Sequence, residues 1–128
     1  MSLVVSCRVY IADDVQALRT LWRELLSDDP AIEVVGEAAD GAQAIAGVRE
    51  TRPDVLLLDL SMPGVDGLEV IRVLREQRLQ TGIVVASGFS AARLAPLALE
   101  LGADDYFEKG GPAEELQRKV RAACPSAA

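Results

Sequence analysis

Two rhythms of apolar residues alternate along this chain. Unbroken runs occupy residues 9–12 (VYIA), 55–58 (VLLL) and 83–86 (IVVA), each closing on a polar residue: Asp13, Asp59 and Ser87. Short apolar runs bounded by turn residues predict strands buried on both faces of a parallel sheet. Between them, apolar residues return every three or four positions, the period of a helix with one buried stripe.

The first such stripe is Val15, Leu18, Trp22 and Leu25, widened by Leu21 and Leu26, and it closes at Asp28-Asp29-Pro30, where proline disfavours continuation. Residues 32–38 form a strand interrupted by Glu33 and Glu37, a polarity suited to a sheet edge. Asp40-Gly41 opens a second helix with Ala42, Ile45 and Val48 as its apolar face, ending near Pro53. After Asp59, Asp66 with Glu69 forms a capping-box-like start. The helix that follows turns Leu68, Ile71 and Leu74 inward, with Val70 and Val73 beside them, and Thr81-Gly82 breaks it. Ser90 is a candidate cap for a fourth helix carrying Leu94, Leu97, Ala98 and Leu101. Pro96 requires that helix to start late or bend, and Gly102 is its stop signal. Residues 105–107 are a short strand before Lys109. Gly110-Gly111-Pro112 then leads into a last helix, with Pro112 suited to its first position. Its buried face is Leu116, Val120 and Ala123, and Glu114–Arg118 and Glu115–Lys119 are helix-spaced ion pairs. Pro125 ends it.

Five strands alternating with five helices through short connections predict a parallel sheet covered on both faces. The second and fifth strands are the least apolar, which places them at the edges in the order 2-1-3-4-5: a flavodoxin-like, doubly wound (βα)5 sandwich. Residues 1–128 are read as one domain, with its core at about 7–123.

Composition narrows the chemistry. The net charge of −7 and a pI near 4.5 argue against direct nucleic-acid binding by electrostatics. The absence of histidine removes the commonest general base and metal ligand. No apolar run is long enough to span a membrane, and no secretory signal is recognisable, so a cytoplasmic location is expected. The two cysteines, Cys7 and Cys124, lie near opposite ends of the chain and form no metal-ligating spacing or disulfide framework.

In the order 2-1-3-4-5, the carboxyl ends of the first, third, fourth and fifth strands face one crevice. They bring Asp13 and Asp14, Asp59, Ser87 and Lys109 together. Taken singly, Asp14 reads equally as a helix cap, Asp59 and Ser87 as turn residues, and Lys109 as a surface charge; their coincidence at one end of one sheet favours a site. Clustered carboxylates repel and call for a hard divalent cation. Carboxylates with Mg2+, a hydroxyl and an amine suit phosphoryl transfer, in which a carboxylate is able to serve as the nucleophile.

With IADD, the LLLDLSMPGVDGLEV run, Ser87 in VVASG, and GADDYFEK ending at Lys109, residues 9–123 resemble the receiver domain of bacterial two-component response regulators. The resemblance implies that Asp59 accepts a phosphoryl group from a histidine kinase or phosphotransfer protein. It implies that Asp14, Asp59 and the backbone carbonyl of Ser61 ligate Mg2+, with Asp13 acting largely through water. Ser87 and Lys109 would bind the phosphoryl group. Ser87 and Tyr106 would form a switch pair that remodels the surface of the fourth helix, fifth strand and fifth helix for a partner or a homodimer; a packing aromatic is the plainer reading of Tyr106. Such a chain is a self-phosphorylating and self-dephosphorylating phosphoacceptor and not a turnover enzyme. One departure concerns the lysine: the family usually follows it with proline, often in a cis bond, where this chain has Gly110. A cis bond without proline costs about 2.5–4 kcal/mol, so a trans bond and an altered loop are expected. Phe89 and Ser61 occupy positions that tune dephosphorylation in the family.

Other readings fit less well. A haloacid dehalogenase-type aspartyl phosphatase needs a second Asp where Ser61 stands. A nucleotide hydrolase needs a GxxxxGK loop, and a flavin-binding module needs a Ser/Thr-rich phosphate loop after the first strand. A receiver-like interaction module independent of phosphorylation is the main alternative. The IEVVGEAADG run resembles regulators that carry a helix-turn-helix output.

Overall fold

The computed structural model describes residues 6–62, 64, 66–88 and 93–125. Its elements are β1 (Cys7–Ala12), α1 (Gln16–Ser27), β2 (Ile32–Ala38), α2 (Gly41–Thr51), β3 (Val55–Asp59), α3 (Gly67–Glu76), β4 (Gly82–Ser87), α4 (Ala95–Leu101), β5 (Asp105–Glu108) and α5 (Ala113–Ala123). All strand pairs are parallel, and the sheet order is β2-β1-β3-β4-β5, as the polarity of the strands requires.

The central strands divide their side chains between two cores with a period of two. Leu56, Leu58, Ile83 and Val85 face one side, where α2, α3 and α4 cover them with Val48, Val70, Ile71, Leu74 and Ala98. Val55, Leu57, Val84 and Ala86 face the other, beneath Trp22 and Leu26 of α1 and Leu116 and Val120 of α5. Leu56, Leu57 and Leu58 are essentially inaccessible to solvent, so each contributes about 1.5–3 kcal/mol of burial. β2 is the polar edge, with Glu33 and Glu37 exposed or half-buried.

Strand register fixes the level of the functional ends. Ala12 pairs with Leu58, Asp59 with Ala86, and Ser87 with Glu108. Asp13, Asp59, Ser87 and Lys109 therefore emerge along one rim.

The helices differ from expectation at their margins. Val15 and Leu21 are exposed (45% and 42%), because the buried stripe of α1 is narrower than its apolar residues suggest. On α2, Ala44 is buried and Ala42 exposed; with alanines on both faces, periodicity could not choose between them. α3 stops at Glu76, well before Thr81-Gly82: Arg78 adopts φ 59°, and Leu79 N–H donates back to Leu74 O. α4 starts late, with Pro96 in its first turn and Gly102 (φ 122°) at its end. Pro112 is the residue before α5 and keeps an extended ψ of 142°. Ser90 and Phe89 lie outside the described residues. No described helix is long and apolar enough to cross a membrane.

The fold also joins what the sequence separates. Cys7 opens β1, Asp54 precedes β3, and Cys124 follows α5; their sulfur and carboxylate ligand atoms all lie within 4.8 Å of one another.

Candidate functional site

β1 and β3 deliver their terminal carboxylates to the same rim, and oxygens of Asp13, Asp14 and Asp59 lie within 4.8 Å of one another. Asp13 and Asp59 are 1% and 2% exposed, whereas Asp14 is open to solvent. Lys109, just after β5, lays its Nζ 3.3 Å from Asp13 Oδ2 and 3.3 Å from Asp59 Oδ1. Its backbone N–H donates to Ser87 O at 2.9 Å, which ties the lysine to the end of β4.

The peptide bond after Lys109 is trans, as no cis bond occurs among the described residues, and Gly110 takes φ 95°. That left-handed conformation suits glycine. It lets the loop turn without proline and still return the ammonium to the carboxylates.

Burial raises the Asp59 carboxyl above its ordinary pKa. The neighbouring Asp13 charge adds to this, while the Ser61 N–H and Lys109 oppose it. Ser61 N–H donates to Asp59 Oδ1 at 3.1 Å, so the turn after β3 and Lys109 hold the same oxygen.

Asp13 is held more firmly. Its Oδ1 accepts from Val15 N–H at 2.9 Å, its Oδ2 accepts from the buried Trp22 Nε1–H at 3.3 Å, and its carbonyl accepts from Arg19 at 2.6 Å. Asp14 does not cap α1; the residue before that helix is Val15, which makes no side-chain cap. Trp22 and Arg19 were not among the candidates read from the sequence. Trp22 sits in the apolar stripe and reads as core, but a buried indole N–H needs an acceptor, and Asp13 stands at the N-terminal end of the same helix.

Ser87 is fully buried at the end of β4. Its hydroxyl donates to Tyr106 Oη at 3.3 Å, and Tyr106 packs half-buried against the core beneath α2–α4. The sheet thus forms two adjoining sets: three carboxylates with a lysine, and a pair of hydroxyls next to them. α3 closes tightly behind the first set, since a Cβ on Gly67 would lie 2.8 Å from the Asp59 carbonyl and 2.7 Å from Leu60 Cα. Asp66 caps that helix through Glu69 N–H at 2.9 Å.

Residues 9–121 match the response regulator receiver domain family. The chain belongs to this family of two-component signalling receivers. It is 43% identical over 104 residues to a protein-glutamate methylesterase/protein-glutamine glutaminase of Koribacter versatilis, covering 80% of this chain and 28% of that protein. It is 41% identical over 115 residues to the nitrate/nitrite response regulator NarL of Escherichia coli K12, covering 90% and 53%. The chain therefore spans about a quarter to a half of these relatives' length. Among solved structures, the response regulator domain of Thermotoga maritima CheB superposes with a TM-score of 0.86 at 28% identity, covering 93% of this receiver and 96% of that chain. The signal receiver domain of a NarL from Mycobacterium tuberculosis gives 0.86 at 33% identity, covering 93% and 96%.

Proposed function

We propose that this receiver acts in the cytoplasm and that Asp59 is its phosphoacceptor, taking a phosphoryl group from a histidine kinase or phosphotransfer protein. The observation that carries this reading is the convergence of three carboxylates within 4.8 Å, with Lys109 Nζ 3.3 Å from two of them. Ser61 N–H and Lys109 both engage Asp59 Oδ1, which leaves Oδ2 as the attacking oxygen. A new O–P bond forms there as the bond to the donor's leaving atom breaks. Catalysis of such a transfer is mostly positioning and charge compensation.

The donor set fits Mg2+, which favours hard oxygen ligands: Asp14, Asp59 and the Ser61 carbonyl would hold it, with Asp13 acting through water. Both Asp13 oxygens already accept protein hydrogen bonds, which supports that indirect role. When bound, the ion supplies charge neutralisation for the phosphoryl oxygens.

Lys109 and the Ser87 hydroxyl then bind those oxygens. Ser87 leaves its present contact with Tyr106, and loss of that contact re-sets Tyr106 and the α4–β5–α5 surface for a partner or a second copy. Exposed Leu97 and Leu99 on α4 (43% and 45%) give that surface apolar anchors. The relatives' further regions make a longer regulator, with this receiver controlling an output, the natural setting.

Incubating the protein with Mg2+ and acetyl phosphate and measuring intact mass tests the assignment. One added phosphoryl group, absent in Asp59→Asn and absent without Mg2+, is the expected result. A folded protein that gains no mass under any condition, or gains it equally in Asp59→Asn, overturns it.

A further inference from the structure

At the opposite end of the sheet from Asp59, the fold assembles Cys7, Asp54 and Cys124. Asp54 and Asp59 bracket β3, so the two sites stand about 16 Å apart along the strand. We propose that Cys7, Cys124 and Asp54 bind a thiophilic divalent cation of the Zn2+ class, which fastens the start of β1 to the end of α5.

The geometry carries this inference. The two sulfurs and a carboxylate oxygen lie within 4.8 Å of one another. Tetrahedral Zn2+ with metal–sulfur distances of about 2.3 Å and metal–oxygen distances of about 2.1 Å places such ligands about 3.6–3.8 Å apart. At most about 1.2 Å of contraction is therefore needed. The elements that carry the ligands are already fixed. Arg8 N–H donates to Asp54 Oδ2 at 2.9 Å, Asp54 N–H to Arg8 O at 2.8 Å, and Gly82 N–H to Asp54 O at 2.8 Å. The Arg8 N–H orients the carboxylate as an outer-sphere partner does in metal sites. α5 closes directly onto β4 here, since a Cβ on Gly82 would lie 2.1 Å from Ala123 O.

The surroundings also suit a cation. Both cysteines are buried, at 3% and 6% exposure. Burial, then Cys124, then the Asp54 and Asp29 charges push the Cys7 thiol pKa up, a cost that metal–thiolate bonding must offset. Binding exchanges the two thiol protons for the ion and releases them to solvent. Soft thiolates select Zn2+ over Mg2+, which separates this site chemically from the Asp59 rim. A cleft of about 360 Å³ reaches Asp54, and another of about 410 Å³ reaches Cys124; Pro125 lines both. Two of the three ligand residues therefore each line a cleft.

Co2+ titration of the reduced, chelator-stripped chain tests the proposal. The sequence has only two cysteines, so any thiolate-to-cobalt charge-transfer band reports on this pair. One equivalent should produce that band, with the d–d bands of tetrahedral Co2+, and one equivalent of Zn2+ should abolish them. The signal should persist in excess Mg2+ and in Asp59→Asn, which separates this outcome from failure of the phosphoacceptor assignment. Asp54→Asn, folded by circular dichroism, should weaken binding at least tenfold, and Cys7→Ser and Cys124→Ser should each lose the signal. Absence of thiolate bands in folded, fully reduced protein overturns the proposal even if the cysteine variants fail to fold. So does an unchanged band in either cysteine variant, or purified protein two hydrogens light whose reduction yields no Zn2+ binding, which would make the pair a disulfide.

Discussion

Lys109→Met removes the cation between two buried carboxylates while retaining most of the side-chain length and an unbranched apolar stem. Each 3.3 Å contact is worth about 5 kcal/mol of gross attraction at an effective dielectric of about 20. Asp13 and Asp59, with oxygens within 4.8 Å, repel each other by about 3.5 kcal/mol on the same scale. Desolvation offsets much of this, and removing one partner of a buried ion pair typically costs about 3–5 kcal/mol. The lysine side chain keeps 20% exposure, which discounts the loss to about 3 kcal/mol without Mg2+. For a domain of this size that is a fall in Tm of about 10 °C. Urea or thermal unfolding at neutral pH, with and without Mg2+, measures it. In the variant the proposed Mg2+ alone would compensate the two carboxylates, so saturating Mg2+ should recover more than half of the loss and stabilise the variant more than the parent. A loss below about 1 kcal/mol, or equal Mg2+ stabilisation of both proteins, would refute the idea that Lys109 balances the charge of the carboxylate cluster.

Asp59→Asn should raise metal-free stability at pH 7–8 in a urea melt, since burial and the Asp13 charge outweigh the Ser61 N–H and Lys109 at this carboxylate. The folded carboxyl is raised above its unfolded value, so its contribution to stability falls as pH climbs from about 4 through the folded pKa; the advantage of asparagine should vanish at acidic pH, where both states are protonated. Gly67→Ala forces a Cβ against the Asp59 carbonyl and Leu60 backbone; it should cost about 1–3 kcal/mol in a urea melt and slow acetyl phosphate labelling. Gly110→Pro would install the residue usual in the family, yet the φ of 95° here is incompatible with proline. Chemical denaturation should show a loss above about 1 kcal/mol, and a gain in stability would contradict the loop geometry.

The sheet order was legible because burial on two faces and burial at an edge leave different marks. The unbroken LLL before Asp59 has no solvent face, while Glu33 and Glu37 declare one. The carboxylate cluster followed from topology, since parallel strands place their last residues on one side. Local periodicity carried less. Ala42 and Ala44 are chemically equal, so only the packed structure tells which is inside. The α3 terminus depends on the backbone of Arg78, which no side-chain pattern announces. Trp22 was visible as core but not as a donor to Asp13, since that contact joins two rules usually applied separately. Cys7, Asp54 and Cys124 were illegible as a group because their proximity arises from chain closure and not from spacing.

The placement of Trp22 also makes the protein its own optical instrument. It is the sole tryptophan, 3% exposed, bonded through its indole N–H to Asp13 and edge-on to Phe107 at 6.1 Å. Its emission therefore originates from the wall of the carboxylate cluster, free of background from any second indole. The cation binding and acyl-phosphate turnover proposed for the rim should therefore register as a fluorescence change in real time, on the unlabelled chain.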